Sequence, residues 1–240
     1  MAEAALLTNL VSYWKLDESS GDAVDAHGTN TLTNIGTMTY SASKINNGGN
    51  PSTTGPKYLT IADASQSGLD LSGDLTFAFW INPTSVTDGN YHMIIDKNSD
   101  GSQAIFSIRH NNTNLYFAGG AINDGFSTLT AGTLQHICLS FVASSGIATF
   151  VKNGVSLGTK SGYPASWTNN TEAFQVGNGQ AGTVAFNGQL DEVGIWSRAL
   201  SVTECDSIYN GGSGLEYPFG EGAAGILTSI LSLVRAFWIF

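Results

Sequence analysis

Short runs of β-favouring residues, each closed by a turn signal within about ten positions, constrain this chain more than any other feature. The clearest unit is Ile147 to Lys152, then Asn153-Gly154, then Val155-Ser156-Leu157-Gly158. Asn-Gly supplies the two positive-φ residues that a two-residue hairpin turn requires. Gln135 to Val142 precedes it across Ala143-Ser144-Ser145-Gly146, a second hairpin. Ala104 to Arg109 and Asn114 to Phe117 flank His110-Asn111-Asn112-Thr113 in the same way. Leu75-Thr76-Phe77-Ala78-Phe79-Trp80-Ile81 is apolar on both faces, the pattern of a strand covered on two sides, and Asn82-Pro83 stops it. Further strands are expected at Leu10 to Leu16, Lys57 to Ile61, Glu172 to Gly177 and Gln189 to Trp196. The β array contains a single helix signal. Ser201 and Glu204 form a capping box, and Gly211-Gly212 follow where the helix must stop. Nothing alternates strand with helix, so the expected fold is all-β, two antiparallel sheets packed face to face with one short helix.

Charge narrows the partners. The 240 residues carry 9 basic and 19 acidic side chains, a net charge of -10, and only 12% of residues are charged. A phosphate backbone needs a cationic surface, so no nucleic-acid partner is expected. Cys138 lies in an apolar strand pattern and Cys205 in the helix, and both are expected as buried free thiols. Met1 to Tyr13 has no basic start and no small-residue cleavage site, so no signal peptide is expected.

Composition changes after Pro218. Residues 1–218 read as one domain, 219–225 as a glycine-rich hinge and 226–240 as an apolar anchor. Ile226, Ile230, Leu231, Val234, Phe237, Trp238 and Phe240 give the anchor a broad apolar face at helical spacing. Fifteen helical residues span about 22 Å, short of the roughly 30 Å hydrocarbon core, and Arg235 adds cost, so a membrane span is not expected. Such a segment must be covered. The covering is expected from a bundle of tails in a homo-oligomer, from other subunits of an assembly, or from the sandwich itself.

Several segments resemble the laminin-G-like, concanavalin A-like jelly-roll family. They are Tyr13-Trp14-Lys15-Leu16-Asp17-Glu18-Ser19-Ser20-Gly21, Asp25 to Asn30, Leu75 to Pro83, Gln135 to Phe141, Val151-Lys152-Asn153-Gly154-Val155, and Phe186 to Val193 with Trp196 to Ser201. Gln135 stands where the family pattern carries Trp. The resemblance covers roughly Leu10 to Pro218 and implies a jelly roll used mostly for binding.

Glycoside hydrolysis needs two carboxylates facing one cleft. Asp191 and Glu192 are adjacent, so strand alternation sends them to opposite faces, and no Ser-His-Asp, zinc or P-loop pattern occurs. No enzyme is expected. Asp17, Asp22, Asp25 and Asn30 crowd one early loop, and the resemblance implies that this loop lies beside Asp191, giving a candidate structural Ca²⁺ site. The competing reading is a set of turn formers capping their own backbone. Sugar recognition requires exposed aromatic rings among hydroxyl-binding side chains. Tyr163, Trp167 and Asn169 in one loop, with Tyr91 and His92 on the same or another rim, are the candidates. The expectation is a non-enzymatic carbohydrate-binding or adhesion module displayed through its C-terminal segment on a virion or extracellular surface. The rival is a purely structural spacer.

Overall fold

The computed structural model describes residues 5–97, 106–119, 122–167, 169–179 and 185–219. Within them the strands are β1 (Leu10–Trp14), β2 (Thr33–Ile35), β3 (Thr39–Ala42), β4 (Asn47–Asn50) and β5 (Tyr58–Ile61). Next come β6 (Leu75–Pro83), β7 (Tyr91–Lys97), β8 (Phe106–Asn111), β9 (Asn114–Gly119) and β10 (Ile122–Ser127). The last are β11 (Gln135–Val142), β12 (Ile147–Lys152), β13 (Val155–Ser161), β14 (Phe174–Val176) and β15 (Gly188–Trp196), followed by helix α1 (Val202–Tyr209). Strand pairing is antiparallel throughout. The first sheet has the order β13-β12-β11-β6-β15-β4-β3, with β1 also paired to β15, and the second has the order β10-β9-β8-β7-β14-β5-β2. This is the expected sandwich.

Period-two alternation explains both apolar layers. Phe77, Phe79 and Ile81 of β6 and Leu139 and Phe141 of β11 point between the sheets, where they meet Phe106, Ile108, Leu115 and Phe117. Ala78 of β6 and Cys138 of β11 face the other way, into a second apolar cluster with Tyr13, Trp196, Ile208 and Phe219. α1 and the chain ends cover that outer face, which is why β6 is apolar on both sides.

The local turn signals form as expected. Asn153 and Gly154 adopt φ of 49° and 76° in the β12–β13 turn. Ser201 caps α1, its hydroxyl accepting from the Glu204 N–H while the Glu204 carboxylate accepts from the Ser201 N–H. Gln135, buried where the family pattern has Trp, accepts from the Thr130 N–H and donates to the Thr130 and Thr133 carbonyls. It replaces a ring with a loop clamp.

The cysteines depart from expectation. Cys138 and Cys205 form a disulfide, with Cα atoms 5.8 Å apart, and are not free thiols. Strand alternation aims Cys138 outward, and α1 lays Cys205 directly over it.

Five strands carry no sequence signal strong enough to announce them: β2, β3, β4, β7 and β10. β4 is Asn47-Gly48-Gly49-Asn50, a poor strand former by propensity. Its glycines are required by close approach, since a Cβ on Gly49 would meet the Met38 methyl and one on Gly48 the Leu190 carbonyl. The anchor 226–240 and the hinge beyond Phe219 lie outside the described residues. Among the described residues no helix is long and apolar enough to cross a membrane.

Candidate functional site

Three segments meet at one end of the sandwich: the β4–β5 connection, the end of β6 and the start of β15. Backbone bonds fix them, with Gly188 N–H donating to Pro51 O at 3.3 Å, Thr84 N–H to Asn187 O at 2.9 Å and Gly132 N–H to Pro83 O at 2.9 Å. Between them lies a cavity of about 620 Å³ whose wall carries Asn50, Asn82, Asn187 and Gln189, with Thr39, Ser52, Thr84 and Lys57. The Gln189 amide donates to Ser41 O at 3.3 Å and Ala42 O at 3.2 Å, and Asn50 donates to Thr39 O at 3.1 Å. These bonds hold the amides in place. The Asn82 Oδ1 atom is buried without a hydrogen-bond partner among the described residues.

A second hollow of about 290 Å³ adjoins the first. Asn187 lines both, and Ser52–Thr53 and Thr84–Ser85 each run from one to the other. Its wall carries Asp88, Asn90, Tyr91, His92 and His110. Strand pairing sets His92 opposite His110, and the rings stack at 4.8 Å. His92 Nε2 lies 2.7 Å from Asp88 Oδ2 and Nδ1 lies 2.9 Å from Ala185 O. Burial pushes His110 down to about 4, so it is neutral at pH 7. Tyr91 is exposed, with the Arg109 guanidinium 4.8 Å from its ring centre and Tyr116 edge-on at 5.6 Å. The two hollows make one groove of hydroxyls and carboxamides with an aromatic ring at one end.

The expected sugar-binding residues divide between this groove and the core. Tyr91 and His92 line the groove. Trp167 and Tyr163 are no surface platform, being 5% and 4% exposed. Trp167 stacks on Phe141 at 4.6 Å, and the Tyr163 hydroxyl donates to Phe117 O at 3.0 Å. Their loop folds over the open edge of the core, where large rings bury more area than they could in water. Asn169 is exposed near that loop. Sequence reasoning missed Asn50, Asn82, Lys57, Asp88, His110, Asn187 and Gln189 as site residues. Asn82-Pro83 and Asn187-Gly188-Gln189 were visible only as fold signals.

A family model for the concanavalin A-like lectins and glucanases matches residues 53–205. The chain belongs to that superfamily. The sandwich extends the match toward the N-terminus, since β1, β3 and β4 belong to its first sheet and β2 to its second. A curated relative, "Female protein" of Nothocricetulus migratorius, is 32% identical over 123 residues, which is 48% of this chain and 52% of that protein. The chain thus matches about half the length of that relative. Domain 4 of AbnA, a GH43 extracellular arabinanase from Geobacillus stearothermophilus solved with arabinotriose, superposes with a TM-score of 0.63 at 20% identity, covering 83% of this chain and 97% of that one. A botulinum neurotoxin type C structure, described with two ganglioside molecules in cell entry, gives 0.68 at 13% identity, covering 86% of this chain and 52% of that one. At these identities the likeness is one of fold.

Of the early acidic loop, Asp17 lies near enough to Asp191 to add to the burial that pushes its carboxyl up, but the candidate ligands do not gather at one point. Asp25 Oδ1 accepts from the N–H groups of Tyr13, His27 and Gly28 at 3.0, 3.1 and 2.8 Å, and Oδ2 from Asn30 N–H at 2.9 Å. Both oxygens are therefore engaged by backbone donors, three on Oδ1 and one on Oδ2. Asn30 is spent on Ser12 and Ser67. Asp22 accepts from Asn34 N–H at 2.8 Å and Asp17 from Asn47 N–H at 3.2 Å. Asp191 Oδ2 accepts from the N–H groups of Lys44 and Ile45 at 2.9 and 3.0 Å. These five do not fit a Ca²⁺ centre, and among the described residues no three His, Cys, Asp or Glu side chains group to hold a metal ion.

Asp191 and Glu192 do not point to opposite faces as alternation demands. Glu192 has φ of 50°, and between Asp191 and Gly194 the register with β6 shifts by one residue. That bulge turns both carboxylates to the outer face, where Glu192 sits beside Tyr13. Burial pushes Asp191 up to about 7 and Glu192 up to about 8. The pair is sealed from solvent and away from the groove, whose wall among the described residues holds one carboxylate, Asp88. The two-carboxylate arrangement of a glycosidase is not formed there.

Proposed function

We propose that the chain is a non-enzymatic carbohydrate-binding domain whose ligand lies in the bipartite groove at the Gly188 end of β15. The carrying observation is the groove wall itself: carboxamides and hydroxyls held in place by backbone and side-chain bonds, ending in the exposed Tyr91 ring. Such a wall exchanges hydrogen bonds with sugar hydroxyls while the ring covers a sugar face. A cavity of this size falls in the range of small-ligand sites, about 300–1,000 Å³. The superfamily membership and a neighbour solved with arabinotriose support the reading.

The display reading also has support. Phe219 stacks on Trp196 at 6.2 Å, at the far end of β15 from Gly188. Eight strand steps separate the two ends, roughly 25 Å. Phe219, the last described residue, therefore lies on the part of β15 remote from the groove, which suits a module held by its C-terminal segment on a virion or extracellular surface. The Cys138–Cys205 disulfide suits an oxidising setting. Weak contacts by many copies would then combine into avidity.

A glycan array probed with the intact protein and with Tyr91→Ala tests the binding reading. Binding by the parent, lost in the variant at unchanged melting temperature, supports it. An array with no binder removes it in favour of a structural spacer. Removal of residues 226–240 tests the display: the shortened chain should be monomeric and fail to assemble, and normal assembly refutes the anchor.

A further inference from the structure

The groove carries a charge asymmetry that the proposed function does not use. Among the described residues, the 620 Å³ cavity is lined by no acidic side chain and by one cation, Lys57, in a chain of net charge -10. Every other described basic side chain has a partner. Lys15 meets Glu216, Lys97 meets Asp63 and Asp70, Lys160 meets Asp124, and Arg198 meets Glu204. Lys44 donates to Gly212 O, Lys152 to Thr128 O, and Arg109 lies over the Tyr91 ring. Lys57 alone among the described residues has no ion pair, side-chain hydrogen bond or ring contact. Lys57 is partly buried as a residue, and its ammonium keeps three free donors for an anion. Asn82 and Asn187 lie on the same wall.

Resting on the carbohydrate reading, we propose that this cavity is a subsite for an anionic sugar, a ring bearing a carboxylate or sulfate that pairs with Lys57, its hydroxyls bonding Asn82 and Asn187. The adjoining hollow takes the neutral part of the chain against Tyr91. A charge-assisted contact is about twice as strong as a neutral one, so removing it costs on the order of tenfold in affinity.

Matched oligosaccharides that differ only in carrying no charge, a carboxylate or a sulfate test this, titrated against the intact protein and Lys57→Gln. Lys57 is at the surface, and an unchanged melting curve certifies the variant. Tighter binding of an acidic member, by about tenfold at 50 mM NaCl, erased in Lys57→Gln and weakened at 500 mM NaCl, supports the subsite. The carboxylate and sulfate arms tell which anion it takes. Neutral members binding equally well, or a preference that survives in Lys57→Gln, overturns the subsite and leaves the carbohydrate reading standing. No binding by any member overturns both.

Discussion

Asp191 and Glu192 are consecutive in β15, yet both are buried on the outer face of the first sheet, because Glu192 has φ of 50° and forms a bulge against β6. Burial raises both carboxyls, Asp191 to about 7 and Glu192 to about 8. The folded chain then holds protons that the unfolded chain releases from about pH 4.5 upward. This contribution is complete below the unfolded values and is lost as pH rises through the folded ones. Melting temperature should fall between pH 5 and pH 9, and Glu192→Gln should flatten that fall by several degrees. Parallel curves for the two proteins would refute the protonated pair.

Cys138→Ala with Cys205→Ala should destabilise the chain. The bridge spans a sequence separation of 67 residues. The chain-entropy relation gives about 4 kcal/mol for such a loop, and in a chain this size 1 kcal/mol moves the melting temperature by about 2–4 °C. A drop of about 10 °C is expected, reproduced by reductant in the parent. Intact mass with and without thiol alkylation reads the bridge directly.

Trp167→Ala should act on stability and not on ligand recognition. The ring stacks on Phe141 and meets Phe117 edge-on at 5.8 Å. Truncating a buried ring of this kind costs about 3–5 kcal/mol. Denaturant midpoints should fall, while any glycan affinity measured below the transition stays within a factor of two. Selective loss of affinity in a stable variant would restore the aromatic platform.

Asp25→Ala should unfold the early loop by stranding the donors of Tyr13, His27, Gly28 and Asn30. A buried donor left unpaired costs about 1–3 kcal/mol, and partial rehydration leaves a loss of about 3 kcal/mol. Added Ca²⁺ should leave the melting temperature of the parent unchanged. A rise in the parent that Asp25→Ala abolishes would reinstate the metal.

Much of the candidate site was illegible in the sequence for a definite reason. Tyr91 and His92 stood out as an aromatic and an imidazole. Asn50, Lys57, Asn82 and Asn187 did not, because a carboxamide or a lysine signals nothing until its neighbours are known. The groove assembles from segments more than 100 residues apart, joined by Gly188 and Pro51 and by Thr84 and Asn187. Trp167 misled because a ring between Ser166 and Thr168 reads as exposed, whereas the loop folds it onto Phe141.

Local residue order was enough for the features that need only near neighbours: β11, β12 and the Asn153-Gly154 turn, the two-faced apolar β6, and the Ser201–Glu204 cap of α1. Backbone sterics and period-two alternation decide those within a few residues. Tertiary structure alone decided the rest. It laid Cys205 over Cys138, gave the glycine-rich β4 a partner, and broke the alternation at Glu192. It also left Lys57, among the described residues, without a counter-ion in a cavity lined by no acid. Each of these depends on register between distant strands, which side-chain packing across the two layers selects.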